Sequence, residues 1–455
     1  MSNMTSVLDL IGNTPVLKLS RLDTGACELF LKLECQNPGG SIKDRVALSM
    51  ITAAEKAGRI KPGATLVEAT AGNTGLGLAL VAAQKGYRLV LVIPDKMSSE
   101  KILHLRALGA EIVLTRSDVE KGHPDYYQDM AARIARETPG ALYIDQFNNP
   151  ANTEAHEKGT APELWEQLGH KVDAIVCGVG SGGTLSGLSR YFEKVSPSTE
   201  LVLADPKGSI LADIIAGKTP PPAGSWLVEG VGEDFVPSIA DLSRVRKAYT
   251  ISDAESFATA RELLLKEGVL GGSSTGTLVA AALKYCRESK KPKRVVTFAV
   301  DSGNKYLSKM YNDYWLADQG FGERKELGDL RDLVTRPFSE RAVATVKSDD
   351  RLLTAHGRMR VGEFSQLPVM ENGKVIGLID ESDVLMAVRS NPDNFRQPVK
   401  GFMARNLLKV DAKTPIEELQ RILDSGLVGM LYNGEDFYGL ITRTDLLNYL
   451  RRKLT

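Results

Sequence analysis

The segment ECQNPGGSIKDRVALSM contains the residue best suited to covalent chemistry, Lys43. The NPGG run predicts a tight turn, and Ser41 can cap the helix that follows, which leaves Lys43 in the first helical turn. The positive end of the helix dipole disfavours an ammonium group there, so the amine is biased toward the neutral form that a Schiff base needs. The alternative is an ordinary solvated lysine at a helix N-terminus, and this segment alone does not decide between the two.

Two glycine-rich turns each follow a predicted strand and begin a predicted helix, where free backbone N–H groups can bind an anion. The first, LVEATAGNTGLGLAL, places residues 70–74 at a turn that suits a carboxylate, unless glycine is needed there only for steric reasons. The second, CGVGSGGTLSG, presents residues 180–184 to a phosphate. It also matches GxGxxG with Asp205 about 20 residues further on, so dinucleotide binding is an alternative, although a weak one this far along the chain.

A third glycine cluster, EGVLGGSSTGT, places Ser273 and Ser274 after a helix expected to end near Gly268, and alone it predicts a helix cap. The four cysteines are scattered without a CxxC pair, and the five histidines lack ligand spacing. The sequence therefore predicts neither a disulfide framework nor a metal site.

From about residue 7 to 316, short β-branched runs alternate with longer helical stretches, which is typical of parallel sheets flanked by helices. The clearest predicted strands are YRLVLVIP, AEIVLT, VDAIVCGV, ELVLADP and KRVVTFAV. Helices are expected over residues 41–57, 74–85, 99–108, 125–137 and 253–266. We therefore expect an α/β domain over residues 1–316.

The charged stretch ADQGFGERKELGDLRDLVTR predicts a linker over residues 317–336, and a duplication follows it. LPVMENGKVIGLIDESDVLMAV is similar to GMLYNGEDFYGLITRTDLLNYL, because each contains an NG turn, then GLI, a polar pair and an aspartate that opens a helix. We expect two related small α+β domains, over residues 337–390 and 397–455.

Lysine plus arginine number 57, and aspartate plus glutamate also number 57, so the chain has no overall positive field for nucleic acid or an anionic membrane. Its apolar stretches fall far short of the roughly 18 residues that a membrane span requires, and we see no secretory leader. We expect a cytoplasmic protein that binds small molecules in pockets.

Taken in order, NPGGSIKDR, TAGNTG, GVGSGGT and GGSSTG resemble the fold-type II pyridoxal-phosphate enzymes, in the cysteine synthase and cystathionine β-synthase branch. The resemblance covers residues 7 to about 316. It implies an α/β fold with two parallel-sheet subdomains and pyridoxal 5'-phosphate as the cofactor, joined to Lys43 through its aldehyde.

The resemblance also assigns roles to the remaining motifs. Asn73 is expected to hydrogen-bond the ring hydroxyl, and Ser274 to face the pyridine nitrogen as a neutral partner, which favours β-elimination over transamination. The phosphate is expected at Gly180, Ser181, Gly182, Gly183 and Thr184. The substrate is expected at Thr70, Ala71 and Gln146, and at Gly232 in the segment VEGVGEDF (228–235) at the pocket mouth.

Three positions depart from the pattern of the relatives. Relatives commonly have serine where this chain has Ala71, and animal cystathionine β-synthases have tyrosines where Phe147 and Glu233 stand. We therefore expect one carboxylate contact, pocket closure and the contacts of the second substrate to differ.

The duplicated segments resemble paired CBS domains, which commonly bind adenosine-containing ligands such as S-adenosylmethionine or AMP. Thr442 and Asp445 of GLITRTD match the pair that usually contacts ribose, whereas Asp380 of GLIDESD stands where threonine is typical. An acid near an anionic nucleotide is unfavourable. The alternatives are one empty site or a module that serves only dimerisation.

By this resemblance we expect a β-replacement that condenses serine with homocysteine to cystathionine and water, in a homodimer or higher homo-oligomer. The CBS pair and the segment DSGNKYLSKMYNDYWL favour this activity over an O-acetylserine sulfhydrylase, which uses sulfide. A non-enzymatic adenylate sensor is the alternative from another class. No haem is expected, because the IGNTP motif already begins at Ile11.

Overall fold

The computed structural model describes residues 4–70, 72–95, 99–119, 122–321, 326–334, 336–340 and 342–454. The chain forms two compact units, Met1–Tyr311 and Asn312–Thr455. Among the helices of the described residues, none combines the length and the apolar character that a bilayer crossing requires.

Two sheets form the framework of the first unit. Their strands are β1 (Val16–Leu19), β2 (Glu28–Lys32), β3 (Thr65–Ala69), β4 (Arg88–Pro94), β5 (Glu111–Thr115), β6 (Leu142–Tyr143), β7 (Ala174–Cys177), β8 (Glu200–Pro206), β9 (Val245–Ile251) and β10 (Arg294–Phe298). The larger sheet has the order β1-β2-β10-β7-β8-β9 and is parallel apart from the β1–β2 pair. The smaller sheet has the order β5-β4-β3-β6 and is parallel throughout.

Helices connect these parallel strands, since a parallel pair needs a crossover rather than a hairpin. They are α1 (Lys43–Lys56), α2 (Asn73–Lys85), α3 (Ser99–Ala107), α4 (Tyr127–Glu137), α5 (Pro150–Ala155), α6 (Ala161–Gln167), α7 (Gly183–Val195), α8 (Leu211–Ile215), α9 (Asp253–Glu267) and α10 (Ser273–Glu288), with a π-helical turn at His156–Thr160. Each of the five helices and five strands predicted from the sequence is present, and the helices begin and end within two residues of their expected limits. The α/β prediction is confirmed.

A buried ion-pair network joins elements of the first unit that are distant in sequence. The guanidinium of Arg45 on α1 donates to Glu34 Oε2 at 2.7 Å and to Glu163 Oε1 at 2.7 Å. Lys32 on β2, which is fully buried, donates to Glu163 Oε2 at 2.9 Å. Because each buried charge has a partner, the network fixes the start of α1 against the larger sheet and α6.

The second unit repeats one small α+β motif. Its strands are β11 (Val346–Lys347), β12 (Gln366–Glu371), β13 (Lys374–Asp380), β14 (Lys409–Asp411), β15 (Gly429–Asn433) and β16 (Asp436–Ile441), and its helices are α11 (Asp313–Asp318), α12 (Leu352–Gly362), α13 (Glu381–Ser390), α14 (Ile416–Asp424) and α15 (Arg443–Leu454). The sheets β11-β12-β13 and β14-β15-β16 have the same pairing, one parallel and one antiparallel. The predicted duplication is confirmed.

Part of the segment expected to be a linker belongs to the core of the second unit. Leu330, Leu333 and Val334 are buried against residues of the second repeat, including Leu419 and Ile441. The described structure divides after Tyr311. The boundaries given for the linker and for each CBS domain stay predictions.

Candidate active site

A cleft in the first unit brings the lysine loop and the second glycine-rich turn together. Lys43 is the first residue of α1, and its Nζ lies 3.5 Å from Ser181 Oγ in the glycine loop, which comprises residues 180–184. The cleft is lined by Ile42, Lys43, Cys177, Gly178, Gly180, Ser181, Gly182, Thr184, Gly230, Val231, Leu278, Phe298 and Val300. The two motifs that the sequence singled out therefore share one site.

The electrostatic surroundings of Lys43 favour a reactive amine. Burial lowers the pKa of the Lys43 amine to about 8, although the Glu233 carboxyl acts in the opposite direction. The positive end of the α1 dipole also disfavours the ammonium form, as the sequence predicts. A large neutral fraction near physiological pH is what attack on an aldehyde requires.

The lysine loop is held against the end of β10. The N–H of Ile42 donates to the carbonyl of Val300 at 2.9 Å, and the N–H of Lys43 donates to Ser41 Oγ at 3.2 Å. Asp301 follows directly and forms a backbone bridge with Ser41. The position of Lys43 is thus set by a strand that lies about 250 residues further along the chain.

The glycine loop has a conformation and a packing that only glycine permits. Gly182 has a φ of +87°, in the left-handed region. A Cβ on Gly183 would lie 2.1 Å from Asn152 Oδ1, so the Asn152 amide occupies the space of a side chain. Asn152 Nδ2 donates to Ser181 Oγ and to the carbonyl of Gln146, both at 2.9 Å. Asn152, which the sequence analysis did not identify, therefore links the glycine loop to Gln146.

A buried histidine lies behind the loop. His156 Nε2 is 3.2 Å from Thr184 Oγ1, and its Nδ1 is 3.0 Å from Thr160 Oγ1. Burial holds the pKa of His156 well below its usual range, with Lys43 and Arg45 acting in the same direction. The imidazole is therefore neutral and serves as a hydrogen-bonding support for Thr184.

The first glycine-rich turn is placed beside Gln146. Thr70 is buried at the end of β3, where its Oγ1 accepts from the N–H of Gly72 at 3.3 Å. Thr74 Oγ1 donates to Gln146 Oε1 at 2.6 Å. Ala71, the third residue expected to contact the substrate, lies outside the described residues. The structure thus brings Gln146 to the turn that contains Thr70.

Asn73 belongs to a polar network that the sequence did not reveal. Asn73 Nδ2 donates to Asp301 Oδ2 at 2.8 Å, and Lys305 Nζ donates to Asn73 Oδ1 at 2.7 Å. Tyr306 Oη donates to the same oxygen of Asp301 at 2.9 Å. The structure therefore places both polar atoms of the Asn73 amide in contact with this network and gives no direct contact with Lys43. The sequence feature that could have indicated this network is the position of Asp301 just after a parallel strand, where functional residues of α/β folds gather.

Ser274 and Gly232 lie on elements that border the cleft. Ser274 is buried in the first turn of α10, one turn before Leu278, which lines the cleft on the same helical face. Gly232 donates its N–H to the carbonyl of Val179 at 2.8 Å, and this bond joins the mouth segment (residues 228–235) to the start of the glycine loop. The expected positions of both residues near the cofactor remain predictions.

The mouth segment is also fixed by charge. Glu229 accepts from Lys309 Nζ at 2.8 Å and forms an ion pair with Lys101 on α3, and its N–H donates to Ser273 Oγ at 3.0 Å. Farther along, the ring centroids of Phe147 and Phe235 are 5.9 Å apart. The segment therefore contacts the first turn of α10 and the residue after Gln146.

These features fit the group that the motifs imply, an aldehyde carrying a phosphate. Lys43 supplies a buried amine whose pKa is lowered to about 8. The loop that faces it lacks Cβ atoms where Asn152 and Ala240 approach, and the N–H groups at the start of α7 have no acceptor within the helix. Amide donors and hydroxyls in this geometry suit a phosphate dianion.

Asp205, the acidic residue that dinucleotide binding would require, is not available to a ribose. Asp205 is buried, and its Oδ2 accepts from the N–H of Ala212 at 2.8 Å, which caps α8. It therefore has a structural role. Among the residues that the structure describes, no group of three or more histidine, cysteine, aspartate or glutamate side chains could hold a metal ion.

A second cleft lies within the second unit. It is lined by Asp318, Arg336, Ala342, Val343, Ala344, Gly362, Glu363, Phe364, Ser365, Gln366, Gly426, Leu427, Val428, Leu440, Thr442, Arg443, Thr444, Asp445 and Asn448, and we call it the regulatory cleft. Thr442 donates to Asp445 Oδ2 from its N–H at 2.8 Å and from Oγ1 at 2.6 Å. The equivalent pair in the first repeat is Asp380 and Asp383, which cap α13 reciprocally.

Two sequence families match this chain. Residues 7–301 match the family described as pyridoxal-phosphate dependent enzyme, and residues 330–390 and 399–452 each match the CBS domain. The first match contains every motif of the active-site cleft, and the second contains both small repeats.

Several characterised proteins are similar to this chain over most of its length. Cystathionine β-synthase of Dictyostelium discoideum is 35% identical, with 99% of this chain and 93% of that protein aligned. Cystathionine β-synthase of Saccharomyces cerevisiae is also 35% identical, with 98% of this chain and 97% of that protein aligned. The alignments therefore include both units.

Solved structures are similar to about two thirds of this chain. A hydrogen sulfide-producing enzyme from Fusobacterium nucleatum is 38% identical with a TM-score of 0.63, covering 67% of this chain and 100% of that protein. An O-acetylserine dependent cystathionine β-synthase from Helicobacter pylori is 37% identical with a TM-score of 0.62, covering 68% of this chain and 99% of that protein.

Proposed function

The chain belongs to the family of pyridoxal-phosphate dependent enzymes, and on that premise we propose that it catalyses the cystathionine β-synthase reaction, which condenses L-serine with L-homocysteine to L-cystathionine and water. The observation that carries the proposal is the buried amine of Lys43 beside the glycine loop. The CBS pair and the alignment with cystathionine β-synthases along nearly the whole chain support this activity over that of an O-acetylserine sulfhydrylase.

Pyridoxal 5'-phosphate would be held by residues of four motifs. Lys43 would bind its aldehyde covalently, and the glycine loop would bind its phosphate. Ser274 would face the pyridine nitrogen. Asn73 Nδ2 uses one hydrogen for Asp301 and retains a second for the ring hydroxyl.

The chain's own residues bind the substrate and move a proton. When bound, pyridoxal phosphate withdraws electrons from the α-carbon of an amino acid. The turn at residues 70–74 and Gln146 would orient the serine carboxylate. Lys43 Nζ, whose pKa is lowered to about 8, would take the proton from the serine α-carbon and later return it. The β-hydroxyl leaves as water, and the homocysteine sulfur replaces it on the β-carbon.

A β-replacement assay tests this proposal. The purified protein with pyridoxal phosphate should form cystathionine from serine and homocysteine, detected by mass spectrometry. Lys43→Ala should abolish the product, whereas Lys56→Ala, which removes an exposed lysine from the same helix, should not. Borohydride reduction should label residue 43 in the unmodified protein. An unlabelled Lys43, or an undiminished rate in Lys43→Ala, would contradict the proposal.

O-acetylserine is a second candidate for the first substrate, because a structural relative is described as O-acetylserine dependent. Sulfide is likewise a second candidate for the nucleophile. Comparing kcat/KM for serine and O-acetylserine, each with homocysteine and with sulfide, identifies the preferred pair.

We propose further that the regulatory cleft binds an adenosine-containing ligand such as S-adenosylmethionine or AMP. The cleft is lined by Thr442 and Asp445 of the second repeat, and burial raises the pKa of the Asp445 carboxyl. The proposed contact is between this carboxylate and the ribose hydroxyls. A homodimer or higher homo-oligomer and a cytoplasmic location stay predictions from the sequence.

Calorimetry with each nucleotide tests the regulatory site. Asp445→Asn should weaken binding about tenfold, the loss expected for one hydrogen bond to a charged group. Asp383→Asn, the matched change in the first repeat, should leave the affinity unchanged. Equal effects of both variants would contradict the assignment to the second repeat, and no binding of either ligand would support a module that serves only dimerisation.

A further inference from the structure

The carboxyl of Glu233, in the mouth segment, lies beside the glycine loop that lines the active-site cleft. The Glu233 N–H donates to Ser209 Oγ at 3.1 Å, and its carbonyl accepts from the N–H of Ile210 at 3.1 Å, so its backbone is fixed. Its Oε1 would lie 4.0 Å from a Cβ built on Gly180, which places the carboxyl beside the first residue of the glycine loop.

This carboxyl lacks a partner in the described structure. Among the residues that the structure describes, none donates a hydrogen bond to its oxygens or forms an ion pair with it. Burial raises the pKa of Glu233 to about 8, and Asp234 and Asp205 act in the same direction, whereas Lys43 opposes them. Its charged form is thus poorly stabilised, and a docked cation would stabilise it.

Cofactor binding would remove the positive charge of Lys43, which lowers the pKa of Glu233. The amine of Lys43 is the group that the proposed function joins to an aldehyde, and the glycine loop would then hold a phosphate dianion beside the carboxyl. Two anionic groups in a partly desolvated cleft repel each other strongly. A cation that enters from solution would therefore favour the ionised form of Glu233.

The second substrate of the proposed reaction supplies such a cation. The first amino acid uses its amine to bind the cofactor, whereas the amino acid that brings the thiol retains a free α-ammonium. That group enters through the mouth, which Glu233 borders. Sulfide and simple thiols have no equivalent.

We propose that Glu233 is a specificity-determining residue that binds the α-ammonium group of the incoming thiol substrate, so that the site selects an amino-acid thiol over sulfide or a thiol without an amine. This inference rests on the proposed β-replacement. It gives a function to one of the positions where animal cystathionine β-synthases have tyrosine.

Two thiols that differ in one group test the proposal. L-homocysteine and 4-mercaptobutyrate share the thiol, chain and carboxylate, but only the first has an amine. With serine at saturation, Glu233→Gln should lower kcat/KM for homocysteine about tenfold, or about 1.4 kcal/mol, and leave the value for 4-mercaptobutyrate unchanged. Glu233→Asp should have a kcat/KM for homocysteine between those of Glu233→Gln and the unmodified enzyme.

Binding gives a readout that is independent of turnover. The dissociation constant of L-cystathionine, followed by the change in cofactor absorbance, should rise about tenfold in Glu233→Gln, while that of L-serine should not change. Asp213→Asn is the matched control, because Asp213 lies on α8 and raises the pKa of Asp205, whereas the charges that shift the pKa of Glu233 are those of Asp234, Lys43 and Asp205. It should reproduce the unmodified enzyme in both assays.

Two outcomes would overturn the proposal. If Glu233→Gln lowered kcat/KM equally for both thiols, the carboxyl would act in proton transfer. If it lowered neither value, the carboxyl would not recognise the amine. Failure of the proposed function would look different, because the unmodified enzyme itself would then form no cystathionine from serine and homocysteine. The same comparison with L-cysteine and 3-mercaptopropionate as nucleophiles would still test Glu233.

Discussion

Replacing Gly183 by alanine tests whether the glycine loop depends on its contact with Asn152. The new methyl group would lie 2.1 Å from Asn152 Oδ1 and 2.6 Å from Asn152 Cγ. Both distances are far below van der Waals contact, so the amide must rotate away. It would then lose its hydrogen bonds to Ser181 Oγ and to the Gln146 carbonyl, both of 2.9 Å.

The expected cost follows from these contacts. Overpacking a dense interior costs about 1–3 kcal/mol. Each lost hydrogen bond adds roughly 1 kcal/mol. We therefore expect Gly183→Ala to lower the free energy of unfolding by about 3–5 kcal/mol. If about 1.4 kcal/mol of this falls on the loop, cofactor binding should weaken at least tenfold.

Thermal unfolding and titration of the apoenzyme with pyridoxal phosphate measure the two effects. Combining Gly183→Ala with Asn152→Ser, which shortens the opposing side chain, should cost less than the sum of the single changes, since the two sites are in contact. Gly357→Ala is the control for added volume, because a Cβ at that position on α12 would meet open space, so this change should lower neither the stability nor the cofactor affinity. If Gly183→Ala had the stability and the cofactor affinity of the unmodified protein, the glycine loop would not depend on its contact with Asn152.

Three further predictions follow from other features of the two units. Covalent capture of the cofactor by the apoenzyme should become faster as the pH rises through about 8, because only the neutral amine of Lys43 attacks, and a rate independent of pH in stopped-flow absorbance would contradict this. Arg45→Met should lower the free energy of unfolding in urea by about 3–5 kcal/mol, because it leaves Glu34 fully buried without its cation, whereas Glu163 retains Lys32. Gly357→Ala should raise the unfolding temperature of the second unit, since alanine is favoured over glycine within a helix by about 1 kcal/mol.

The elements that the sequence predicted well are those with strong local signals. β4 and β8 each contain a continuous apolar run, LVLVIP and LVLA, because both faces of these strands are buried. α9 has a serine N-cap and ends at Gly268, which has a φ of +73°. By contrast, β6 has two residues and the π-helical turn has five, too few for a recognisable period.

For the candidate site, the short contiguous motifs were predictable from the sequence, but the residues that hold them in place were not. Lys43 and the glycine loop each lie in a short distinctive segment, and the structure brings them together. Asn152, His156 and Asp301 are ordinary residues in their own segments. Their importance comes from contacts with distant residues, and strand order, which single-sequence patterns do not encode, sets those contacts.

The order of strands in the larger sheet also determines when the enzyme can be assembled during synthesis. The smaller sheet is built from one continuous stretch, residues 65–143, so it can be completed while the ribosome is still translating the first unit. The larger sheet places β10 between β2 and β7, and its middle stays open until residues 294–298 have emerged. Phe298 and Val300 line the active-site cleft, so nascent chains that stop before β10 lack part of its wall.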